Sequence, residues 1–465
     1  MRLLFQAPTF RFYILIGFLS VCMLTGGSSR ADAGLLLVLR PVTVIALAAL
    51  LIASPRLELG SVRMPALLLG LFALTMAIQL VPLPPGLWLA LPGHARYAEA
   101  AAVAGIAPPW RPLSLTPDLT LNSLISLLPA LVMLIGFAGI GRRRSDLLLF
   151  PLVLAGVSVV LGVVQIAGGS DSAAYFYRPT SDLLPVGLFA NRNHQAVMLA
   201  IALPALAVWA RDPAAGRYRL AMAGGFGLVL LPVILTTGSR AGMALAGVGL
   251  VAATILVWPL LKRWRIPRVA YVAALVLVVA AVGVTIVAGR AVSIDRLADV
   301  DGPSTELRLV TLPIVMTIIR DYLPFGAGFG AFDQVFRGYE PDILLRPTFF
   351  NRAHDDVLET LLSGGVPALI VMVVFALWWG RRAVRVWRSD ESGAYDLLLG
   401  RLGTIMSGML VLASIVDYPL RTPLAGVMFT LACCWLSRAS ADPGGYEGVD
   451  DRPASRSIAF RSRVR

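Results

Sequence analysis

Long, nearly uncharged apolar segments recur along this chain, and they limit its possible folds more than any other feature. We identify twelve, each close to the length of roughly 20 residues that a helix needs to cross a bilayer. They lie at about 12–28, 33–53, 64–83, 119–140, 147–167, 186–209, 219–236, 241–260, 269–288, 363–380, 398–416 and 422–437. Transmembrane barrels are built from short alternating strands instead. The expected fold class is therefore an all-α integral membrane protein with about twelve transmembrane helices.

The overall composition agrees with this class. Of the 465 residues, 57% are hydrophobic and 14% are charged, whereas soluble domains are about a quarter charged. The net charge of +13 comes almost wholly from arginine. A nucleic-acid-binding protein would show a soluble basic face with interleaved aromatic residues, and the sequence has none. We expect membrane lipids as partners and no nucleic acid.

The basic residues predict the orientation of the chain, because Arg and Lys collect in cytoplasmic loops. Basic clusters fall on alternate connections, at Arg56/Arg63, Arg142–Arg144, Arg211/Arg217/Arg219, Lys262–Arg268 and Arg381–Arg388. With twelve spans, this pattern predicts that both termini are cytoplasmic. An alternative for the first segment is a cleavable signal peptide, since Ala31-Asp32-Ala33 resembles a cleavage site.

The spans and loops divide the chain into six regions. The expected regions are N-terminal membrane helices (1–83), an outward-facing loop (84–118), central membrane helices (119–288), a large outward-facing loop (289–362), C-terminal membrane helices (363–437) and a disordered, basic cytoplasmic tail (438–465). The large loop lies between spans nine and ten. Candidate site residues collect on this outward side.

Two of the three histidines end similar four-residue stretches, N-R-N-H at 191–194 and N-R-A-H at 351–354. His354 precedes a predicted short helix from Asp355 to about Leu362, which a glycine pair ends. The positive end of a helix disfavours imidazolium, and a general base must be a neutral imidazole. Asp355 or Asp356 could orient this base or could cap the helix.

Arginines from distant parts of the sequence are expected at the same membrane face. Arg192 begins the sixth span, Arg240 follows a very short outward turn, and Arg308 lies on a predicted helix of the large loop. Guanidinium groups bind phosphate oxygens bidentately, so together with a base they suggest a lipid-diphosphate donor and an attacking hydroxyl. Taken singly, each arginine could instead be an interfacial anchor or a headgroup contact.

Other motifs argue against several alternative chemistries. The sequence has no nucleotide-binding G-x-x-x-x-G-K-[ST] loop and no metal-binding cluster, so we expect a metal-independent reaction without a cofactor. We find no carboxylate away from a span end, whereas ion-coupled transporters commonly bury carboxylates in the membrane. The glycine-rich run Gly326–Gly330 predicts a turn that allows close backbone approach.

The quoted motifs resemble a known family. The segments G-L-F-A-N-R-N-H-Q-A, T-T-G-S-R-A-G, P-F-G-A-G-F-G-A-F and A-H-D-D-V-L-E-T-L-L-S-G-G-V-P, with W-R-P-L-S-L-T-P-D-L-T in the first outer loop, resemble the O-antigen ligase family of bacterial membrane glycosyltransferases. Related polysaccharide polymerases share much of this pattern. The resemblance covers roughly residues 84–380. Many relatives have H-N or H-S followed by leucine where this chain has His354-Asp355-Asp356.

The resemblance implies a fold of the lipid-dependent glycosyltransferase type in the bacterial inner membrane, with its active site facing the periplasm. Family ligases move a glycan from undecaprenyl diphosphate to lipid A–core, and polymerases move it to another lipid-linked repeat unit. The implied catalytic residues are His354, Arg308 and Arg240. The implied substrate-binding residues are Asn191, Arg192, Asn193, His194, Arg352 and Asp355. A lipid transporter and a non-catalytic envelope assembly protein remain alternative hypotheses.

Overall fold

The computed structural model describes residues 8–53, 59–107, 109–169, 172–178, 184–212, 216, 218–264, 303–344, 352–389 and 395–439. Within these ranges, the description of residues 8, 142, 263–264, 303–310 and 343 is limited to the backbone. In chain order, the α-helices are α1 (Pro8–Thr25), α2 (Leu36–Ala53), α3 (Arg63–Gln79), α4 (Pro85–Leu89), α5 (Ala95–Val103), α6 (Pro117–Ile125), α7 (Leu128–Gly139), α8 (Leu149–Gly168), α9 (Arg192–Ala210), α10 (Tyr218–Thr236), α11 (Arg240–Trp264), α12 (Pro303–Tyr322), α13 (Phe332–Arg337), α14 (Asp356–Arg388), α15 (Tyr395–Ser414) and α16 (Pro423–Arg438). Two short strands, β1 (Pro82–Leu83) and β2 (Arg111–Pro112), pair antiparallel.

The helices match the predicted spans closely. Within the described ranges, nine helical segments are long and apolar enough to cross a membrane, and α1 and α16 are shorter apolar helices. The fourth predicted span is made by α6 and α7 together. The ninth predicted span, at about 269–288, and nearly all of the predicted tail lie outside the described residues. The chain is thus a multi-pass, mostly helical membrane protein, as the apolar runs predict.

Helix α9 forms the centre of the bundle and is buried along almost its whole length. Helix α11 approaches it closely at two glycines. A Cβ atom on Gly249 would lie 2.7 Å from the Ala200 carbonyl oxygen, and one on Gly242 would lie 2.2 Å from the Ala196 Cβ atom. Small residues at helix interfaces allow this close approach in membranes. The packing fixes the N-terminus of α11, where Arg240 lies, against the N-terminus of α9.

The glycine-rich run between α12 and α13 forms the tight turn that its sequence predicts. Gly326, Gly328 and Gly330 have φ angles of 78°, 107° and 89°, in the left-handed region that glycine enters without steric cost. The Ala327 N–H donates to the Leu362 carbonyl oxygen, and the Leu115 N–H donates to the Ala327 carbonyl oxygen. The run therefore joins the first outer loop to the start of α14.

Helix α14 contains the predicted short helix and the tenth span in one kinked element. Gly365 has φ 59° and ψ −150°, so the helix changes direction at the predicted glycine break. The Val366 N–H donates to the Pro324 carbonyl oxygen at 2.8 Å, which fixes the kink to the loop before the glycine-rich run. The first two turns of α14, next to His354, are thereby held apart from its long membrane segment.

Candidate active site

Asp417 is the centre of the site, and it lies in the turn between α15 and α16. It is buried, with 3% of its surface exposed. The Asn193 side-chain amide donates to its Oδ2 atom at 2.9 Å, and that of Asn191 donates to the same atom at 3.4 Å. Both asparagines belong to the N-R-N-H stretch. This stretch is therefore tied to a carboxylate more than 200 residues later in the chain.

Two imidazole rings face the same carboxylate from different sides. The His194 Nε2 atom lies 3.8 Å from Asp417 Oδ2, and the His354 Nδ1 atom lies 3.7 Å from Asp417 Oδ1. Both distances exceed ordinary hydrogen-bond lengths, and catalytic hydrogen bonds often tighten only when substrate is bound. The Tyr418 ring packs against both imidazoles, with centroids 5.4 Å and 5.1 Å away. The two N-R-x-H histidines thus meet at Asp417.

The backbone at His354 has an unusual conformation. Its φ is 54°, and among the described residues no other non-glycine residue has a positive φ. Such left-handed residues cost about 1–3 kcal/mol and persist only when their surroundings hold them. The His354 side chain is 29% exposed, whereas that of His194 is 1% exposed. Of the two, only His354 can reach a substrate without rearrangement.

The capping alternative for Asp355 is confirmed. Its carboxylate accepts hydrogen bonds at 2.9 Å from the Val357 and Leu358 N–H groups, so it caps α14. Asp356 turns away from the histidine and pairs with Arg421 at 2.8 Å. The carboxylate that faces His354 is therefore neither of these residues but Asp417.

The N-R-N-H stretch also organises the end of a helix. Asn191 caps α9, since its side-chain oxygen accepts from the Asn193 N–H at 2.8 Å. The Arg192 guanidinium donates to the carbonyl oxygens of Thr237 and Gly238 at 3.1 Å and 3.2 Å. These residues form the turn that ends at Arg240, whose side chain is exposed. The structure thus brings Arg192 and the Arg240 turn to the same corner as Asp417.

Three arginine–carboxylate pairs, formed by two arginines and two acidic residues, lie close to the His354 segment. Glu359 is fully buried, and its Oε1 atom lies 3.0 Å from Arg352 Nη1 and 3.1 Å from Arg421 Nη1. Arg421 also binds Asp356, whose second oxygen accepts from the Ser414 hydroxyl at 3.0 Å. Arg352 was predicted to bind substrate, and its guanidinium here pairs with Glu359.

The electrostatics of the turn favour an ionised Asp417. Burial alone would raise the pKa of its carboxyl group, but its interactions with His354, His194 and Asn193 outweigh burial and lower this pKa to about 2. Burial, with the neighbouring Asp417 charge, raises the pKa of Tyr418 to about 12. At neutral pH, an anion and a neutral phenol therefore lie against the two imidazoles.

A cavity of about 60 Å³ lies beside Arg421, a volume of roughly two water molecules. Its lining combines guanidinium groups of Arg30 and Arg40 with apolar side chains of Leu36 and Pro423. In the described ranges, no three His, Cys, Asp or Glu side chains form a group that could hold a metal ion.

One predicted site residue falls outside this description. The side chain of Arg308 is not among the described residues, although the predicted helix that carries it is present as α12. The sequence interpretation missed Asp417, Glu359 and Arg421. The signal for Asp417 was weak, since it is a single acidic residue in a short polar turn between two apolar spans.

The comparison with protein-family models gives one match on this chain. Residues 225–373 match the family model described as O-antigen ligase. A search of curated proteins found no match. The matched region begins in α10, includes Arg240 and His354, and ends in the membrane segment of α14. Residues 225–373 therefore match the family that the sequence motifs resemble.

Proposed function

We propose that the chain transfers a glycan from an undecaprenyl-diphosphate carrier to an acceptor hydroxyl on the periplasmic side of the bacterial inner membrane. One observation carries the proposal: in a chain with a region that matches the O-antigen ligase family model, two histidines face one buried carboxylate at a corner that also holds exposed and paired arginines. This arrangement suits proton removal beside an anionic leaving group.

His354 is the proposed general base. Its Nδ1 atom faces Asp417, so its Nε2 atom is the one directed to substrate. This nitrogen takes the proton of the acceptor hydroxyl as the acceptor oxygen bonds to the anomeric carbon of the donor sugar. A carboxylate behind an imidazole holds its orientation and stabilises the imidazolium that forms. The proton then passes to solvent.

The arginines are the proposed site for the diphosphate. The bond from the anomeric carbon to the phosphate oxygen breaks, and its electron pair leaves with undecaprenyl diphosphate. Fixed cations that face this growing negative charge lower the barrier. Arg240 is exposed at the N-terminus of α11, where the helix dipole adds positive potential. We expect Arg308, on α12, to act with it. The donor bond supplies the driving force, and no metal or cofactor is required.

The ligase and polymerase reactions differ only in the acceptor, which is lipid A–core for a ligase and another repeat unit for a polymerase. An ion-coupled transporter is less consistent with the state of Asp356 and Glu359, because each of these two carboxylates binds an arginine. Transporters more often keep such groups available to ions or protons.

The decisive experiment is glycan analysis in a deletion strain that is complemented with variants. We expect His354→Gln and Arg240→Ala to insert normally and to abolish transfer, whereas the wild-type chain restores it. Polymer that accumulates on its lipid carrier would identify a ligase, and single capped repeat units would identify a polymerase. Normal surface glycan with His354→Gln would overturn the proposal.

A further inference from the structure

We propose that Glu359 is a positioning residue that sets the orientation of the His354 imidazole toward Asp417. This inference rests on the proposed function of His354 as the base. It assigns a task to a buried acidic residue that lies five positions after His354 in the chain and binds groups other than the two imidazoles.

Glu359 holds the residues immediately before His354 through both of its oxygens. Its Oε2 atom accepts from the Ala353 backbone N–H at 3.0 Å, and its Oε1 atom accepts from the Arg352 guanidinium at 3.0 Å. Glu359 is fully buried on α14, so the carboxylate is attached to a rigid element. The segment before His354 is thereby held at one backbone N–H group and at one side chain.

This hold matters because His354 is in the left-handed region, with φ 54°. A non-glycine residue leaves this conformation unless its neighbours keep it there. A change of backbone conformation at His354 would turn its side chain away from Asp417. The Asp355 cap fixes the residue after His354, and Glu359 fixes the residue before it.

The same carboxylate connects the two chain segments of the site. Arg421 binds Glu359 at 3.1 Å and Asp356 at 2.8 Å. It lies on the 3-10 turn Pro419–Arg421, just after Asp417. Glu359 therefore links the segment that carries His354 to the segment that carries Asp417. It sets the separation of their facing atoms, which is 3.7 Å.

The positive and negative charges of the ion-paired side chains around Glu359 are equal in number. Two guanidinium groups, of Arg352 and Arg421, meet two carboxylates, of Asp356 and Glu359. Removing the Glu359 charge leaves one partly buried guanidinium without compensation, and shortening the side chain withdraws both oxygens from Ala353 and Arg352. Glu359→Gln therefore tests the charge of the side chain, and Glu359→Asp tests its length.

The test compares Glu359→Asp and Glu359→Gln in purified full-length protein, with transfer measured against donor and acceptor concentration. We expect kcat to fall about 100-fold with Glu359→Asp, since misplacement of a reacting group by 1 Å can cost this much, while the donor KM stays within about twofold. Arg352→Lys should also lower kcat at an unchanged donor KM. Asp333→Asn is the matched control, because it removes a carboxylate from an exposed pair with Arg337.

A spectroscopic measurement supplies a readout that does not depend on activity. The chain has three histidines, so ¹³C,¹⁵N-histidine labelling gives a small set of imidazole signals that single substitutions can assign. We expect Glu359→Asp to shift the His354 signals and to leave those of His94, which lies in the first outer loop, unchanged. This measurement remains informative if the substitution abolishes transfer and no kcat can be measured.

The outcomes distinguish this inference from the proposed function. If His354→Gln abolishes transfer but Glu359→Asp has wild-type kcat and unshifted His354 signals, the positioning role is wrong and the base assignment stands. A rise in donor KM at constant kcat with Arg352→Lys would instead indicate that this group binds substrate. Full transfer by His354→Gln would show that His354 is not the base, and the proposed function would then be wrong as well.

Discussion

Asp417 is shared by two imidazoles, and the consequences of this sharing differ for each histidine. His194 is buried, so it can act on substrate only through Asp417. His354 is partly exposed and can act directly. A single carboxylate that orients an exposed imidazole is the arrangement expected for a general base. Asp417 should therefore affect transfer by orienting the His354 imidazole, and this dependence can be measured.

Replacing Asp417 with Asn keeps the shape of the side chain and removes its charge. We expect kcat to fall about 10²–10⁴-fold, the range that general base catalysis contributes, because the imidazole loses the partner that orients it and stabilises its charged form. The measurement is steady-state transfer by purified protein. His354→Gln should give a loss at least as large, because it removes the base itself.

The double variant supplies the control for this prediction. Residues that act as one catalytic unit have non-additive effects, so Asp417→Asn with His354→Gln should be no slower than His354→Gln alone. Losses that multiply would mean that Asp417 and His354 act independently, against the arrangement described here.

The low pKa of Asp417 also predicts how stability depends on pH. Its carboxyl pKa is lowered from 3.8 to about 2. A lowered folded-state pKa stabilises the fold above the unfolded-state value and loses this effect as pH falls through the folded-state value. The contribution is about 2 kcal/mol near neutral pH. It should disappear between about pH 4 and pH 2.

Thermal unfolding of wild-type protein and of Asp417→Asn in detergent tests this expectation. The difference in Tm should shrink as pH falls below about 4, where the carboxylate begins to take up protons. A difference that already shrinks between pH 7 and pH 5 would mean that the carboxylate titrates near neutrality. Asp417 would then not be a permanent anion in the site.

The sequence predicted these residues unevenly. His354 was identified because it is one of three histidines, follows an Asn-Arg pair and precedes a helix. Asp417 has no such neighbours, and its partners are Asn193 and the two histidines, all far away in sequence. Local sequence patterns predict helix caps and helical periodicity, but they do not predict which distant turns contact each other in the folded chain. For this reason, the sequence offered only Asp355 or Asp356 as a carboxylate that could orient His354, with helix capping as the alternative.

At the scale of elements, the kink in α14 connects the site to the membrane segment. Gly365 has φ 59°, and a Cβ atom there would lie 2.2 Å from the Pro324 carbonyl oxygen. Substitution by alanine therefore forces either the helix or the loop to move. We expect Gly365→Ala to lower the free energy of unfolding by about 1–3 kcal/mol, the cost of a strained backbone position, and to lower activity with it.

Gly380 in the same helix is the matched control. A Cβ atom there has no neighbour within 4 Å, and alanine is favoured over glycine in a helix by about 0.8–1 kcal/mol. Gly380→Ala should leave activity unchanged and should not lower thermal stability. Equal effects of the two substitutions would mean that the kink carries no special constraint.

Helices were predicted far better than the contacts between them. Apolar runs of the required length gave every span that lies in the described ranges, and the glycine pair gave the kink at Gly365. These features depend on local sequence alone. The close approach of α11 to α9 at Gly242 and Gly249 depends on which helices are neighbours, and the apolar pattern of a membrane helix contains little of that information. The break between α6 and α7 was missed for the same reason.

At the scale of the whole molecule, the site is assembled from turns at one end of the bundle. The Ser29 carbonyl oxygen accepts from Arg352 at 3.4 Å, and the Leu424 N–H donates to the Gly26 carbonyl oxygen at 3.0 Å. The segment after α1 therefore contacts both the His354 segment and the start of α16. A reaction at this corner requires that the whole end of the bundle faces the compartment that holds both substrates.

The proposed orientation can be tested with two variants that each carry one introduced, exposed cysteine. The native cysteines Cys22, Cys433 and Cys434 can stay in place because they are buried. Val103 is 91% exposed on α5, in the outer loop whose Leu115 bonds the glycine-rich run beside α14. Ser389 is exposed at the opposite end of α14. A membrane-impermeant maleimide should label Val103→Cys in intact spheroplasts and should label Ser389→Cys only after lysis, because basic residues such as Arg381 and Arg385 favour the cytoplasmic side. The reverse labelling pattern would place His354 and Asp417 in the cytoplasm, where the proposed periplasmic transfer could not occur.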